Sequence, residues 1–187
     1  MRRTINNIFS VIFSCIKFSI MKIFRWKNFV FSPIERFSPN VVTEFNGGSK
    51  VVLKKKVRVH SGTKIKVRNG AELFIGNNVK VNYNCIIVSR EHIEIGDGTE
   101  FGPSVYLYDH DHDYRAGLKA DEFISAPIVI GKNCWIGANT VILRGTSIGD
   151  NCVIGAGSII KGTFPPNSLV LQNRITNCIP YSIEGKE

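Results

Sequence analysis

Ile130, Ile136, Ile142, Ile148, Ile154 and Ile160 recur every six residues without a slip. Glycine follows in four of these cases, at Gly131, Gly137, Gly149 and Gly155, and a compact residue stands two places before the isoleucine at Cys134, Thr140, Thr146, Cys152 and Ser158, with Ile128 the exception. A strict six-residue repeat calls for short flat strands joined by tight turns, three repeats closing one triangular coil of a parallel β-helix. The aliphatic residue then points into the prism and the compact one lets coils stack. Gly, Asn and Asp in GNN, GDG, GKN and GDN supply turn positions that tolerate unusual dihedrals. An ordinary β-sandwich alternates with period two and would not hold a period of six over about thirty residues.

The same period appears earlier as Ile75, Val81 and Ile87, then as Ile95, Phe101 and Leu107, with a two-residue insertion between the runs. Further upstream, Val51, Leu53, Val57, Val59, Ile65, Val67 and Leu73 alternate with polar residues and suggest irregular opening coils. The spacing predicts an all-β solenoid over 57–172, a linker with opening strands over 31–56, a helix over 1–30 and a tail over 173–187.

Between Leu107 and Ile130 the period breaks, and about seventeen residues leave the solenoid and return, as a protruding loop over 108–127. Long insertions in a regular solenoid usually serve a site. This one opens YDHDHDYR, with His110 and His112 among Asp109, Asp111 and Asp113. Alone, that motif reads as a solvated acidic loop or a metal site. Histidine is also the usual side chain for removing a proton near neutral pH, and a neighbouring carboxylate can fix its tautomer.

The run PIVIGKNCWIGANTVILRGTSIGDNCVIGAGSIIKGTFPP, with its WIGAN, GAGS and PPNS segments and the His-bearing loop before it, resembles the hexapeptide-repeat acyltransferases. The resemblance covers roughly 57–172 and is closest to the branch of galactoside, maltose and polysaccharide O-acetyltransferases. It implies a left-handed parallel β-helix that moves an acetyl group from acetyl-CoA to a saccharide hydroxyl, with no metal. Counting without gaps from Gly96 and Asp97 through Phe101, Pro103 and Leu107 places the family's general base on His112, with His110, Asp109 and Asp111 in support. Trp135 matches the family's WIG tryptophan, its backbone N–H a donor to the thioester oxyanion and its ring a cleft wall or a residue packed between coils. Asn82 matches an acceptor-binding asparagine, although Asn is also common at solenoid turns. Ala138 and Ala156, with Lys161 and Gly162, match the positions that meet the CoA arm. Two departures bear on the nucleotide end: relatives commonly have Thr-Lys where this chain has Lys161-Gly162, and QNRITN replaces GNPA or GVPC, leaving Arg174 to supply the charge. The family completes its cleft between subunits, which implies a homotrimer.

The net charge of +9 is unevenly spread: up to Lys80 there are 16 Lys/Arg against 3 Asp/Glu, and beyond it 8 against 12. Without aromatic-basic recognition motifs, this pattern argues against nucleic acid and for an anionic membrane surface or saccharide. Five cysteines without a CxxC pair fit a reducing cytoplasm and no structural zinc. From Ile5 to Trp26, apolar positions recur at helical spacing opposite Asn7, Ser10, Ser14, Lys17 and Arg25, and no acid precedes Glu35. An amphipathic basic helix of this kind lies on an anionic lipid surface or packs on the domain or on a neighbouring subunit. Lys17 and Lys22 argue against a spanning helix, and the short apolar stretch without an A-x-A-like site argues against a secretory signal. The chain is therefore expected in the cytoplasm, with residues 1–28 as a peripheral contact to the inner face of the membrane.

Three other readings compete. An N-acetyltransferase acting on an amino-sugar nucleotide shares the chemistry, but those relatives often carry a further nucleotide-binding domain. A γ-type carbonic anhydrase shares the solenoid but binds zinc through three histidines across a subunit interface, and only His60, His92, His110 and His112 are present. That reading would also leave the CoA-side motifs unexplained. A catalytically silent, membrane-attached scaffold would instead use its flat faces for partners, and thioester hydrolysis or transfer lost in His112→Ala would argue against it.

Overall fold

In a computed structural model, described for all residues except 1, 26, 117–121, 174, 176, 177 and 181–187, the chain forms a parallel β-helix with one helix, Arg2–Phe24 (α1), at its N-terminal end. Three parallel sheets make the faces of a prism, two of seven strands and one of six. The first face runs from Phe29–Val30 to Thr163–Phe164, the second from Arg36–Phe37 to Leu169–Val170, and the third from Val42–Phe45 to Ile159–Ile160.

The six-residue period is the wall of this prism. Ile130, Ile136 and Ile142 pair with Ile148, Ile154 and Ile160 one coil later, so each coil there takes eighteen residues. All six isoleucines are buried, as are Cys134, Thr140, Thr146, Cys152 and Ser158 at the compact positions. Asn133, Asn139, Asn151 and Asn167 turn the corners in the left-handed region, at φ of 53 to 60°. Asparagine tolerates that conformation because its short polar side chain bonds locally.

The solenoid begins well before the expected boundary at 57. Phe29 pairs with Val51 and Val51 with Leu73, a regular register of twenty-two residues. Four-residue strands such as Lys50–Leu53, Lys64–Val67 and Glu72–Ile75 replace the shorter strands of the later coils. The longer strands widen each coil and break the period of six while preserving a period per coil. The expected tail over 173–187 falls largely outside the described residues.

A β-helix must cover the apolar end of its first coil, and α1 does so. Phe18 is fully buried, edge-on to Phe29, Phe31 and Phe37, with ring centroids 4.8–5.7 Å apart. Phe37 N–H donates to Ser14 Oγ at 2.8 Å, Lys17 Nζ donates to Val41 O at 3.1 Å, and Lys22 Nζ reaches Phe29 O. Asn7–Phe24 is long and apolar enough by composition to cross a bilayer. The two lysines read as interruptions of a span instead satisfy carbonyls of the first coils. On the other side of the helix, Ile8, Phe9, Ile12, Ile16, Ile20, Ile23 and Phe24 are exposed, Phe24 by 82%.

Candidate active site

The protruding loop leaves the third face at Tyr106–Tyr108 and forms a hairpin in which His110–His112 runs antiparallel to Phe123–Ser125. Its root is Asp109, fully buried, whose backbone carbonyl accepts from Ala126 N–H at 2.9 Å where the chain returns. The Asp109 carboxylate caps the adjacent corner, accepting from the N–H groups of Arg90, Glu91 and His92 and from Ser89 Oγ at 2.8–3.0 Å. Burial pushes its pKa up, but the bonds from His110, Glu91, Arg90 and Ser89 outweigh burial and hold it below the usual carboxylate range.

The two histidines alternate across the strand and meet different surroundings. His110 Nδ1 lies 3.1 Å from Asp109 Oδ1 and its side chain is only 13% exposed. With Asp109 ionised, Nδ1 is the donor in this contact and the carboxylate fixes the orientation of the ring. His112 is exposed and lies 4.5 Å, centroid to centroid, from its cross-strand neighbour Phe123. Asp111 is held by Arg144 Nε at 2.6 Å, which ties the hairpin to the next coil.

The remaining expected residues do not gather around the hairpin within one chain. Asn82, Ala138 and Ala156 sit on corners between the second and third faces, Ala138 and Ala156 on successive coils and Asn82 two coils before Ala138, whereas the hairpin stands at the opposite edge of the third face. Asn82 Oδ1 accepts from Tyr83 N–H at 2.9 Å, so one of its polar atoms serves its own turn. Ala138 and Ala156 border a close stack: a Cβ on Gly137 would lie 2.5 Å from Ala156 N. Lys161, exposed, and Gly162 follow the third-face strand Ile159–Ile160 and lie on the hairpin's side of that face. Arg174 lies outside the described residues.

One expectation for Trp135 is corrected. Its backbone N–H donates to Cys152 O at 2.9 Å as part of the ladder between coils, so it is not aimed at a developing oxyanion. The indole is 46% exposed on the second face, where it can still form a wall. Among the described residues, no group of three or more His, Cys, Asp or Glu side chains could hold a metal ion.

Sequence reading passed over Arg90, Phe123 and Arg144. Arg90 lays its guanidinium on the Phe123 ring, 3.3 Å from the centroid. The twenty-two-residue register that aligns Arg68 with Arg90 was the signal for the first, since Val67 pairs with Ser89.

Residues 127–161 match the family described as the hexapeptide repeat of succinyl-transferase. A Dictyostelium discoideum chain of the acetyltransferase class is 33% identical over 144 residues, 73% of this chain and 70% of that relative. The Escherichia coli (strain K12) galactoside O-acetyltransferase is 43% identical over 99 residues, 52% of this chain and 49% of the enzyme. A hexapeptide-repeat-containing acetyltransferase of Vibrio cholerae O1 biovar eltor, solved in complex with acetyl coenzyme A, is 32% identical with a TM-score of 0.54, covering 66% of this chain and 65% of that one. The chain spans about half the length of the first curated relatives it matches. Extensive identity to the Dictyostelium chain, the matched repeat and the shared β-helix together place this protein in the hexapeptide-repeat acetyltransferase family.

Proposed function

We propose that this chain is an acetyl-CoA-dependent O-acetyltransferase acting on a saccharide hydroxyl, with His112 as general base. The observation that carries this reading is the His-bearing hairpin, rooted by a buried carboxylate where the solenoid period is interrupted. The imidazole takes the hydroxyl proton as the oxygen attacks the thioester carbonyl. The proton then passes to the departing thiolate, leaving an acetyl ester and CoA. The name of the galactoside O-acetyltransferase relative supports oxygen as the accepting atom and sugar as the acceptor.

Separation of the hairpin from the Asn82, Ala138 and Ala156 edge supports a homotrimer, in which a second copy brings that edge to the hairpin. The exposed apolar side of α1 supports a peripheral site on the inner face of the cytoplasmic membrane, hence a lipid-linked sugar or surface-polysaccharide intermediate as acceptor. A second reading, His110 as the base, is favoured by its contact with Asp109.

The test is an acetyl-CoA turnover screen over saccharide acceptors with His112→Ala and His110→Ala in parallel. Loss of a base costs roughly 10²–10⁴-fold in rate. His112→Ala is expected to fall in that range and His110→Ala by less. The reverse order moves the base to His110, and turnover on amines alone moves the acceptor to nitrogen.

A further inference from the structure

We infer that the first two coils carry a collar for anionic phospholipid headgroups, formed by Arg36 and Arg58 on the second face and by Lys54, Lys55 and Lys56 at the corner leading into it. This rests on the peripheral-membrane reading of α1 above, and adds which lipid is met and how the prism stands on it. The exposed apolar side of α1 points away from the first coil, opposite Ser14 and Phe18, so a bilayer that takes up this side lies across the end of the prism. An interfacial helix enters the headgroup and acyl boundary by only about 5–10 Å, which leaves the coils nearest that end at headgroup depth.

Those coils are the basic part of the prism: residues 29–72 hold nine Lys/Arg against three acids. Glu72 pairs with Lys50, and Glu44 with Lys66 and Arg68. Glu35 is buried, which pushes its pKa up to about 8, so it is largely protonated at pH 7 and does not offset Arg36. Arg36 pairs in register with Arg58, and Arg58 with Lys80, while Phe37, Val59 and Val81 point into the prism. The three cations therefore form one outward column with coils about 4.8 Å apart, a spacing at which like charges destabilise each other. Glu100 neutralises Lys80, whereas Arg36 and Arg58 have no acid partner among the described residues.

The corner beside this column departs from the rest. Later corners between the first and second faces run Gly76-Asn77-Asn78, Gly96-Asp97-Gly98, Gly131-Lys132-Asn133 and Gly149-Asp150-Asn151, but this one runs Lys54-Lys55-Lys56, all exposed. Among the described residues, the other left-handed positions are held by Gly, Asn and Ser104, and only Lys56, at φ 63°, places a charge there. Lys54 acts on the Asp97 carboxylate, while Lys55 and Lys56 have no acid partner among the described residues. Arg36 also lines a groove of about 240 Å³ with Asn7, Ile8, Val11 and Ile12, which joins the column to the apolar side of α1. Apolar side chains at the end of the prism with unpaired cations just behind them complement acyl chains beneath phosphates. A soluble polyanion would meet the cations and leave the apolar side bare.

Co-sedimentation of the full chain with phosphatidylcholine vesicles, with and without phosphatidylglycerol, tests the collar. Three variants are compared: Arg36→Gln with Arg58→Gln, Lys55→Gln with Lys56→Asn, and Lys132→Gln, a cation of the same corner three coils further on. Each collar cation contributes about fivefold to partitioning onto an anionic surface, so each pair is expected to bind phosphatidylglycerol vesicles about thirtyfold more weakly, a difference that high salt removes. Lys132 stands about 14 Å beyond Lys54, past a Debye length, and its variant is expected to lose less than about twofold. Asparagine suits the left-handed corner better than lysine, so the Lys55/Lys56 pair should melt no lower than wild type, which separates lost binding from lost folding. An equal loss per charge in Lys132→Gln, as from net charge alone, overturns the inference, and so does unchanged binding in the two collar pairs. If Ile12→Glu with Ile16→Glu abolishes binding in that last case, the membrane reading of α1 stands without the collar. Absence of wild-type binding overturns both, and heparin binding in its place assigns the cations to a soluble polyanion. Turnover on a soluble saccharide should be unchanged in every variant, so acetyl transfer is judged separately.

Discussion

Asp109 and His110, neighbours in sequence, are joined through their side chains at 3.1 Å while the same carboxylate caps the amide groups of Arg90, Glu91 and His92. One buried oxygen pair thus holds both the histidine strand and the corner from which Arg90 projects. Asp109→Asn turns one accepting oxygen into a donor facing donors. A cost of about 1–3 kcal/mol is expected from the unsatisfied groups, read by denaturant unfolding at pH 7.

The same residue sets an acid limb. Its folded pKa is depressed, so its stabilisation is present above the unfolded value near 3.9 and is lost as pH falls through the lower folded value. Unfolding midpoints between pH 6 and 3 are expected to drop more steeply in the wild type than in Asp109→Asn. Parallel curves would remove Asp109 as the group responsible.

Glu35 gives the opposite slope. Its Oε2 accepts from Val57 N–H at 2.7 Å, while Oε1 is buried without a hydrogen-bond partner among the described residues. Burial pushes its pKa up to about 8, against bonds from Val57 and Ser32 that lower it. A raised folded value means that the folded state holds the proton longer. Stability is full below the ordinary value of 4.5 and is lost as pH rises toward about 8. Glu35→Gln keeps the shape without the charge, so its stability relative to wild type should grow between pH 5.5 and 8, by up to about 1.4 kcal/mol per pH unit. A constant difference across that window would contradict the assignment.

The late coils were legible because Ile130 to Ile160 and their compact partners obey one period, and each residue of the repeat does the same physical work in every coil. Phe29, Val51 and Leu73 obey a period too, but of twenty-two residues, which a six-residue template cannot detect. The hairpin was legible as an interruption. Its chemistry was less so, because the Arg90–Phe123 stack joins residues thirty-three positions apart across a loop whose fold no local pattern encodes. Trp135 was misread for a related reason: a sequence motif names the residue, but only the ladder shows that its N–H is already bonded to Cys152.

The two sides of α1 make separable predictions. Phe18→Ala opens a cavity in the aromatic cap and is expected to cost about 3–5 kcal/mol. Ile12→Glu with Ile16→Glu changes only the exposed side and should leave stability within about 0.5 kcal/mol per site. Co-sedimentation with vesicles containing anionic lipid is expected for the wild type and lost in the glutamate pair. A trimer that dissociates in that pair would assign the apolar side to subunit contact.

Gly137 tests how tightly the coils must stack beside the proposed pantetheine track. An added Cβ would come within 2.5 Å of Ala156 N and 2.8 Å of Ala156 Cα and Ile154 O, all backbone atoms that no rotamer change can move. The Gly137 N–H to Ile154 O bond of 2.8 Å and the Trp135–Val153 pairing resist separation of the same two coils. Gly47 is the control, since its added Cβ meets only the Asn69 Oδ1 atom at 3.9 Å. Overpacking costs about 1–3 kcal/mol, and for a chain of this size each kcal/mol lowers Tm by about 2–4 °C. Gly137→Ala is expected to lose several degrees and Gly47→Ala almost none. Because the strain falls on the Ala138–Ala156 corner, Gly137→Ala should also raise KM for acetyl-CoA more than KM for the saccharide. An equal rise in both would place the CoA arm elsewhere on the prism.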